Sequence, residues 1–269
     1  MLKKKLKINF LIVVVFLMLS FLVIVPEKSF SSENKNEVRE LSHLQPSYTS
    51  MSPIYINDTN PLCNWSKTVA DNEWCTGNGT WSDPYVIEGF TFVSISHLNS
   101  AISIQNSQAP FIIRDCLFLN CYLRGINVDY VSNGVITENI FINGSSSYLF
   151  RHSIDMSYCE NVSVVDNMFY YENYHSIYVT HSSMINLHSN QGIESNSNIY
   201  LRDVDRSSIS GNTFRIYLSS CNYNAIEDNI LINTHTGERG GVSLYLTGSD
   251  YNNITRNKIY SDFDTLALE

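Results

Sequence analysis

The phrase asparagine, any residue, apolar residue returns along the chain at Asn139-Ile140-Phe141, Asn167-Met168-Phe169, Asn212-Thr213-Phe214, Asn229-Ile230-Leu231 and Asn257-Lys258-Ile259. Asp115-Cys116-Leu117 and Asn190-Gln191-Gly192 fit the same frame, and the anchors are spaced 17 to 28 residues apart. Thirteen residues before the anchors stand Ile102, Ile126, Ile154, Ile177, Ile199, Ile216 and Leu244. Eleven before them stand Ile104, Val128, Met156, Val179, Leu201, Leu218 and Leu246. Three before them stand Ile112, Ile136, Val164, Leu187, Ile209, Ile226 and Ile254. Every one of these positions is aliphatic or methionine in a chain that is 43% hydrophobic, so the pattern is a repeat and not an effect of composition.

The first two apolar positions bracket one residue of another type, which is the two-residue period of a strand with one buried face. A constant interval to the third apolar position implies a turn of fixed length, and all length variation falls after the anchor. A solenoid collects its insertions in this way. Stacked in parallel at ~4.8 Å per coil, like residues pile on like. Aliphatic columns then fill the tube, and the asparagines form a ladder through their amides. The expected fold is all-β, a right-handed parallel β-helix of about seven to eight coils with an N-terminal cap. Pro84-Tyr85-Val86-Ile87-Glu88-Gly89-Phe90 matches the second half of a repeat, with Gly89 in the anchor slot. Trp65, Trp74 and Trp81 all precede it in a stretch without repeats. The expected boundaries are a signal peptide or anchor over 1–32, a linker over 33–55, a cap over 56–83, the β-helix over 84–262 and a tail over 263–269. No C-terminal cap is read, and the expectation there is a truncated chain, a helical tail as lid or dimerisation.

Lys3, Lys4, Lys5 and Lys7 precede an apolar run from Phe10 to Val25, the pattern of a secretory signal or an uncleaved anchor. Either places the remainder outside the cytoplasm. Sequons begin at Asn57, Asn64, Asn78, Asn143, Asn161 and Asn253 and are candidate glycosylation sites. Cys63 and Cys75, in a loop-like stretch flanked by tryptophans, are the expected disulfide, and Cys159 and Cys221 are expected to be free buried thiols. A net charge of −9 without a basic stripe excludes a nucleic-acid groove. The expected association with membrane is only through an uncleaved N-terminal segment.

The repeats, together with Gly77-Asn78-Gly79-Thr80-Trp81-Ser82-Asp83-Pro84-Tyr85-Val86-Ile87-Glu88, resemble the right-handed β-helix proteins of the NosD-like and carbohydrate-binding or sugar-hydrolase group. The resemblance covers roughly residues 75 to 260. It implies the fold and leaves the activity open, because members include lyases, glycosidases, epimerases, a periplasmic copper-accessory protein and coils without known activity. Of the motifs of the β-helical pectin hydrolases, Asn-Thr-Asp, Asp-Asp and Gly-His-Gly are absent from the sequence, and Arg-x-Lys occurs only as Arg256-Asn257-Lys258, inside a repeat anchor and without the other three. A lyase of this fold would need a calcium-binding carboxylate cluster with an Arg or Lys base. Asp203 and Asp205, beside Arg202 and Arg206, come nearest, and turn chemistry accounts for them.

One outward slot, twelve residues before the anchor, holds Ser103, Asn127, Asp155, Tyr178, Tyr200, Tyr217 and Tyr245. Four successive tyrosines about one coil apart make a candidate platform for a glycan, since phenol offers an apolar face and a polar edge. Asp129 and Arg202 stand in the slot beside it, and Arg215 in the slot on the other side. The competing explanation is that tyrosine is a good strand former whose stacking stabilises the helix by itself. His152 and His175 share a slot with Arg124 on adjacent coils but lack a third ligand, so no metal and no cofactor is expected. The leading expectation is a non-catalytic β-helix that binds a glycan or surface polymer through Tyr178, Tyr200, Tyr217, Tyr245, Asp155, Asn127 and Arg202. A polysaccharide lyase or glycoside hydrolase using Asp155, Asp203 or Asp205 is one alternative, and a structural or adhesion spacer is the other.

Overall fold

A computed structural model describes residues 49–93, 95, 99–142, 152–170, 175–193, 198–233, 242–261 and 266–268. The expected N-terminal segment 1–32 and the sequon at Asn143 lie outside the described residues. The chain forms a parallel β-helix whose coils each contribute a strand to up to three sheets. The long sheet has nine strands, from Ile54–Asn57 to Leu266–Leu268. The second has eight and the third six, and a further pair, Ile230–Asn233 with Lys258–Ser261, resumes the third face. The solenoid makes about six turns, slightly fewer than the seven to eight expected. The third face is reduced to a single bridge, Gln191 with Thr213, at one coil.

Register is set as the repeat requires. In the long sheet Ile102, Ile126, Ile154, Ile177, Ile199, Ile216 and Leu244 stand in one column and Ile104 to Leu246 in the other. All are buried. Phe92, Phe118, Phe141 and Phe169 stack in the core at 5.1, 4.6 and 4.8 Å with nearly parallel rings. The next residue in that column is Gly192, and in the space it leaves Phe214 meets Phe169 edge to face at 5.6 Å.

The asparagine ladder is continuous from Asn139 through Asn167, Asn190, Asn212 and Asn229 to Asn257. Each Oδ1 accepts from the main-chain N–H and the Nδ2 of the asparagine one coil before, at 2.9 to 3.2 Å. A buried amide is thereby satisfied without water. Before each rung sits a residue in the left-handed region: Glu138, Asp166, Ser189, Gly211, Asp228 and Arg256.

This corner corrects the first anchor. Asp115 has the left-handed φ, and Cys116 takes the rung, its N–H donating to Asn139 Oδ1. Gly89 likewise occupies the corner and not the anchor slot. Ile113, and not Ile112, faces the core beside Ile136, because the first coil carries one extra residue in its turn and the interval is not constant there.

The solenoid also begins earlier than residue 84. Thr49–Ser50 pairs with Phe90–Thr91 and Ile54–Asn57 with Ile102–Gln105, so part of the segment expected as linker is strand. Within the expected cap, a helix over Trp65–Asp71 starts at Asn64, whose Oδ1 accepts from the N–H of Lys67. The helix is anchored by Trp65, which is 1% exposed and stacks on Tyr85 and Phe111. At the other end, within the segment expected as tail, Leu266–Leu268 pairs with Leu244–Leu246 as one more strand.

The six cysteines are free thiols, which overturns the Cys63–Cys75 pairing. Cys75 turns into the core, where burial pushes its thiol up to about 11, while Cys63 remains half-exposed in the turn closed by its N–H to Asn60 O. Cys159 and Cys221 are buried thiols as expected, each sharing a hydrogen bond with a main-chain carbonyl of its own turn.

Candidate functional site

The outer face of the long sheet carries three parallel columns. In the central one Tyr55, Ser103, Asn127, Asp155, Tyr178, Tyr200, Tyr217 and Tyr245 stand on successive strands. Tyr178 and Tyr200 stack at 5.4 Å, Tyr200 and Tyr217 at 6.4 Å, and Tyr217 and Tyr245 lie at 6.0 Å with rings tilted by 48°. The four are half-buried, so the row presents ring edges and hydroxyls more than whole faces. Tyr217 Oη donates to Val242 O at 3.4 Å.

The column on one side is Ser100, Arg124, His152, His175, Asn198 and Arg215. A bulge between His175 and Ile177 takes up one residue, which brings Arg215 into line with the histidines and not into a separate slot. His152 and His175 rings lie 5.3 Å apart, and His175 Nδ1 hydrogen-bonds Asn198 Oδ1. Both imidazoles pack on the tyrosines: His152 on Tyr178 at 4.3 Å and His175 on Tyr200 at 4.9 Å. Burial lowers the His152 pKa to about 3, helped by the charges of His175 and Arg124, and burial likewise lowers that of His175. Both rings are therefore neutral near pH 7.

The column on the other side is Gln105, Asp129, Ser157, Thr180, Arg202, Ser219 and Thr247. Arg202 is exposed at its centre, and Ser157 and Thr180 share a hydrogen bond of 3.0 Å. The sequence-predicted residues Asn127, Tyr178, Tyr200, Tyr217, Tyr245 and Arg202 thus share one face. Asp155 lies on the same face but is only 6% exposed, its carboxylate held by Arg124. Burial raises its pKa against the pull of Arg124, and raises that of Asp129 together with the charge of Asp155. Asp155 therefore braces the row at its N-terminal end and does not stand free as a contact.

Asp203 and Asp205 fall at the corner beyond this face. Asp203 Oδ2 lies 3.4 Å from His181 Nε2, and Asp205 Oδ1 accepts from the N–H of Asn222 at 2.7 Å. These are turn roles. The imidazoles packed on the tyrosines were missed as part of the row, and their slot beside it was the available signal.

Stacked coils with an aromatic and polar outer face define a parallel β-helix repeat protein. The model of the periplasmic copper-binding protein (NosD) family matches residues 78–215 and 146–265, and the chain belongs to that family. The family's periplasmic description agrees with a place outside the cytoplasm. No curated protein matches the chain. Among solved structures, a candidate glycosyl hydrolase from Parabacteroides merdae is 13% identical, with a TM-score of 0.30, over 67% of this chain and 78% of that one. The catalytic domain of a GH87 alpha-1,3-glucanase is also 13% identical, with a TM-score of 0.24, over 68% of this chain and 53% of that one. The chain therefore spans about half the length of the glucanase structure.

Proposed function

We propose that the protein acts outside the cytoplasm as a non-catalytic binder of a glycan or related surface polymer, held along the outer face of the long sheet. The observation that carries this reading is the in-register row of Tyr178, Tyr200, Tyr217 and Tyr245 on four adjacent strands. Phenol edges and hydroxyls, with Asn127 and Thr180 nearby and Arg202 exposed alongside, match the alternation of C–H and hydroxyl groups on a sugar chain. A rigid sheet that presents them at a fixed repeat lowers the ordering cost of binding a polymer. The lysine-led apolar segment at the N-terminus accounts for export, whether it is cleaved or retained as an anchor. The test is retention on immobilised polysaccharides, with product analysis in the same samples. Retention without product supports the proposal, product formation replaces it with an enzyme, and silence on every polymer leaves a spacer.

The family description raises copper as a second ligand. The residues described here do not fit it. No three of His, Cys, Asp and Glu come close enough to hold a metal among the described residues. His152 and His175 pack on tyrosine rings, and the positive charge of Arg124 acts on His152. No metal step is assigned to them.

A further inference from the structure

The turn between the long and second sheets is bordered by two columns of left-handed residues. The coils are counted from the strand Ser100–Ser107 as coil one. The first column runs Asn106, Tyr130, Tyr158, His181, Asp203, Ser220 and Gly248 through coils one to seven, with φ from 49° to 55°. The second runs Asn133, Asn161, Met184, Arg206, Tyr223 and Tyr251 through coils two to seven, with φ from 52° to 64°. Glycine, asparagine and aspartate take this conformation readily, whereas a bulky side chain is sterically strained in it.

Tyr130, Tyr158, Met184, Tyr223 and Tyr251 nevertheless occupy it and point into solvent, at 54, 47, 48, 61 and 76% exposure. Stacking offsets part of the cost: Tyr130 and Tyr158 lie at 4.5 Å, Tyr158 and His181 at 4.9 Å, Tyr223 and Tyr251 at 4.9 Å. Coils with Asn, Asp, Ser or Gly at the same corner form the same turn, so the fold does not require the bulk. Strain kept at exposed aromatic positions points to a surface that is used. Side chains of a partner protein can pack against exposed rings of this kind.

The bulk alternates along the face. The first column is large in coils two to four and small in coils five to seven; the second is small in coils two and three and large in coils four to seven. Turn a second copy by half a revolution about an axis in the plane of this face, across the solenoid and midway between coils four and five. Coil two then faces coil seven, three faces six and four faces five. Tyr130 meets Gly248, Tyr158 meets Ser220 and His181 meets Asp203. Tyr251 meets Asn133, Tyr223 meets Asn161 and Arg206 meets Met184. The strip between the columns pairs Ser132 with Asp250, Glu160 with Asn222 and Ser183 with Asp205, so no two carboxylates oppose each other.

We propose that this turn face docks a second copy of the chain, antiparallel, in a two-fold dimer whose large residues seat on the partner's small ones. From coil two to coil seven the face is ~24 Å long at the coil spacing.

The experiment is sedimentation equilibrium of the purified full chain in a nonionic detergent that disperses its apolar N-terminus. A dimer mass is expected. Ser220→Arg and Tyr158→Arg should each return it to monomer while melting within a few degrees of the parent. A paired Tyr158→Cys, Ser220→Cys variant, oxidised with diamide, should give a disulfide-linked dimer, and the Tyr158→Cys, Asn106→Cys pair should not. A monomer at every concentration overturns the proposal. So does a dimer that survives both arginine substitutions, or equal cross-linking by the two cysteine pairs.

Discussion

Arg124 donates from Nε to Asp155 Oδ2 at 2.5 Å across adjacent strands of the long sheet. The contact fixes a buried carboxylate at the head of the tyrosine row. Burial raises the Asp155 pKa and Arg124 opposes the rise. Because the folded value lies above the unfolded one, this group's contribution to stability is full below about pH 4 and lost as pH rises through the folded value. Arg124→Gln removes the opposing charge. It should cost about 2 kcal/mol at pH 7, below the usual figure for a buried pair because Arg124 is a third exposed. The cost should shrink at pH 4. Urea melts of both proteins at the two pH values check this.

The imidazoles act with the opposite sign. The His152 pKa is depressed to about 3, chiefly by burial. Its stability contribution is fully present above about pH 6.5, the unfolded value, and is lost progressively as pH falls from there to the folded value of about 3. His152→Phe keeps a ring on Tyr178 and removes the proton site. Between pH 6.5 and 4 the wild type should lose more melting temperature than this variant. Parallel slopes would contradict the assignment.

Much of this was legible in the sequence because the solenoid repeats one rule. Buried strand columns tolerate only aliphatic residues, and the rung between second and third sheets tolerates only a small amide, so both recur visibly. Cys116 shows where this fails. A thiol fills the rung at the first coil, and the polar Asp115 beside it mimics the pattern by one residue. Ile54–Asn57 was unreadable for a different reason. The helix and loops that follow it interrupt the spacing that identifies a coil. The tyrosine row was visible because the outward slot is free of core constraints, whereas the bulge at His175–Ile177 that aligns Arg215 with the histidines leaves no mark on composition.

The ladder makes a stability claim. Asn190 Oδ1 accepts from the N–H and the Nδ2 of Asn167, and Asn190 Nδ2 donates to Val164 O. Asn190→Ala strands a buried N–H and a buried carbonyl, and should cost about 2–4 kcal/mol. Asn190→Asp should cost more, since it adds a buried charge and loses the donor. Chemical denaturation monitored by circular dichroism ranks the two.

Gly134 is required by close approach. A Cβ built there would stand 2.3 Å from Cζ of Phe111, whose ring is buried against Trp65. Gly134→Ala should destabilise by about 1–3 kcal/mol through overpacking. Gly134→Ala combined with Phe111→Leu should recover part of the loss, and simple additivity of the two would contradict the contact.

The central claim is that the tyrosine row holds a polymer. The direct measurement is retention of the wild type and of Tyr178→Ala/Tyr200→Ala/Tyr217→Ala on a panel of immobilised polysaccharides, with circular dichroism confirming that both remain folded. The account predicts that the wild type is retained on at least one polymer without product and that the folded triple variant is not. Equal retention of the two proteins would contradict it.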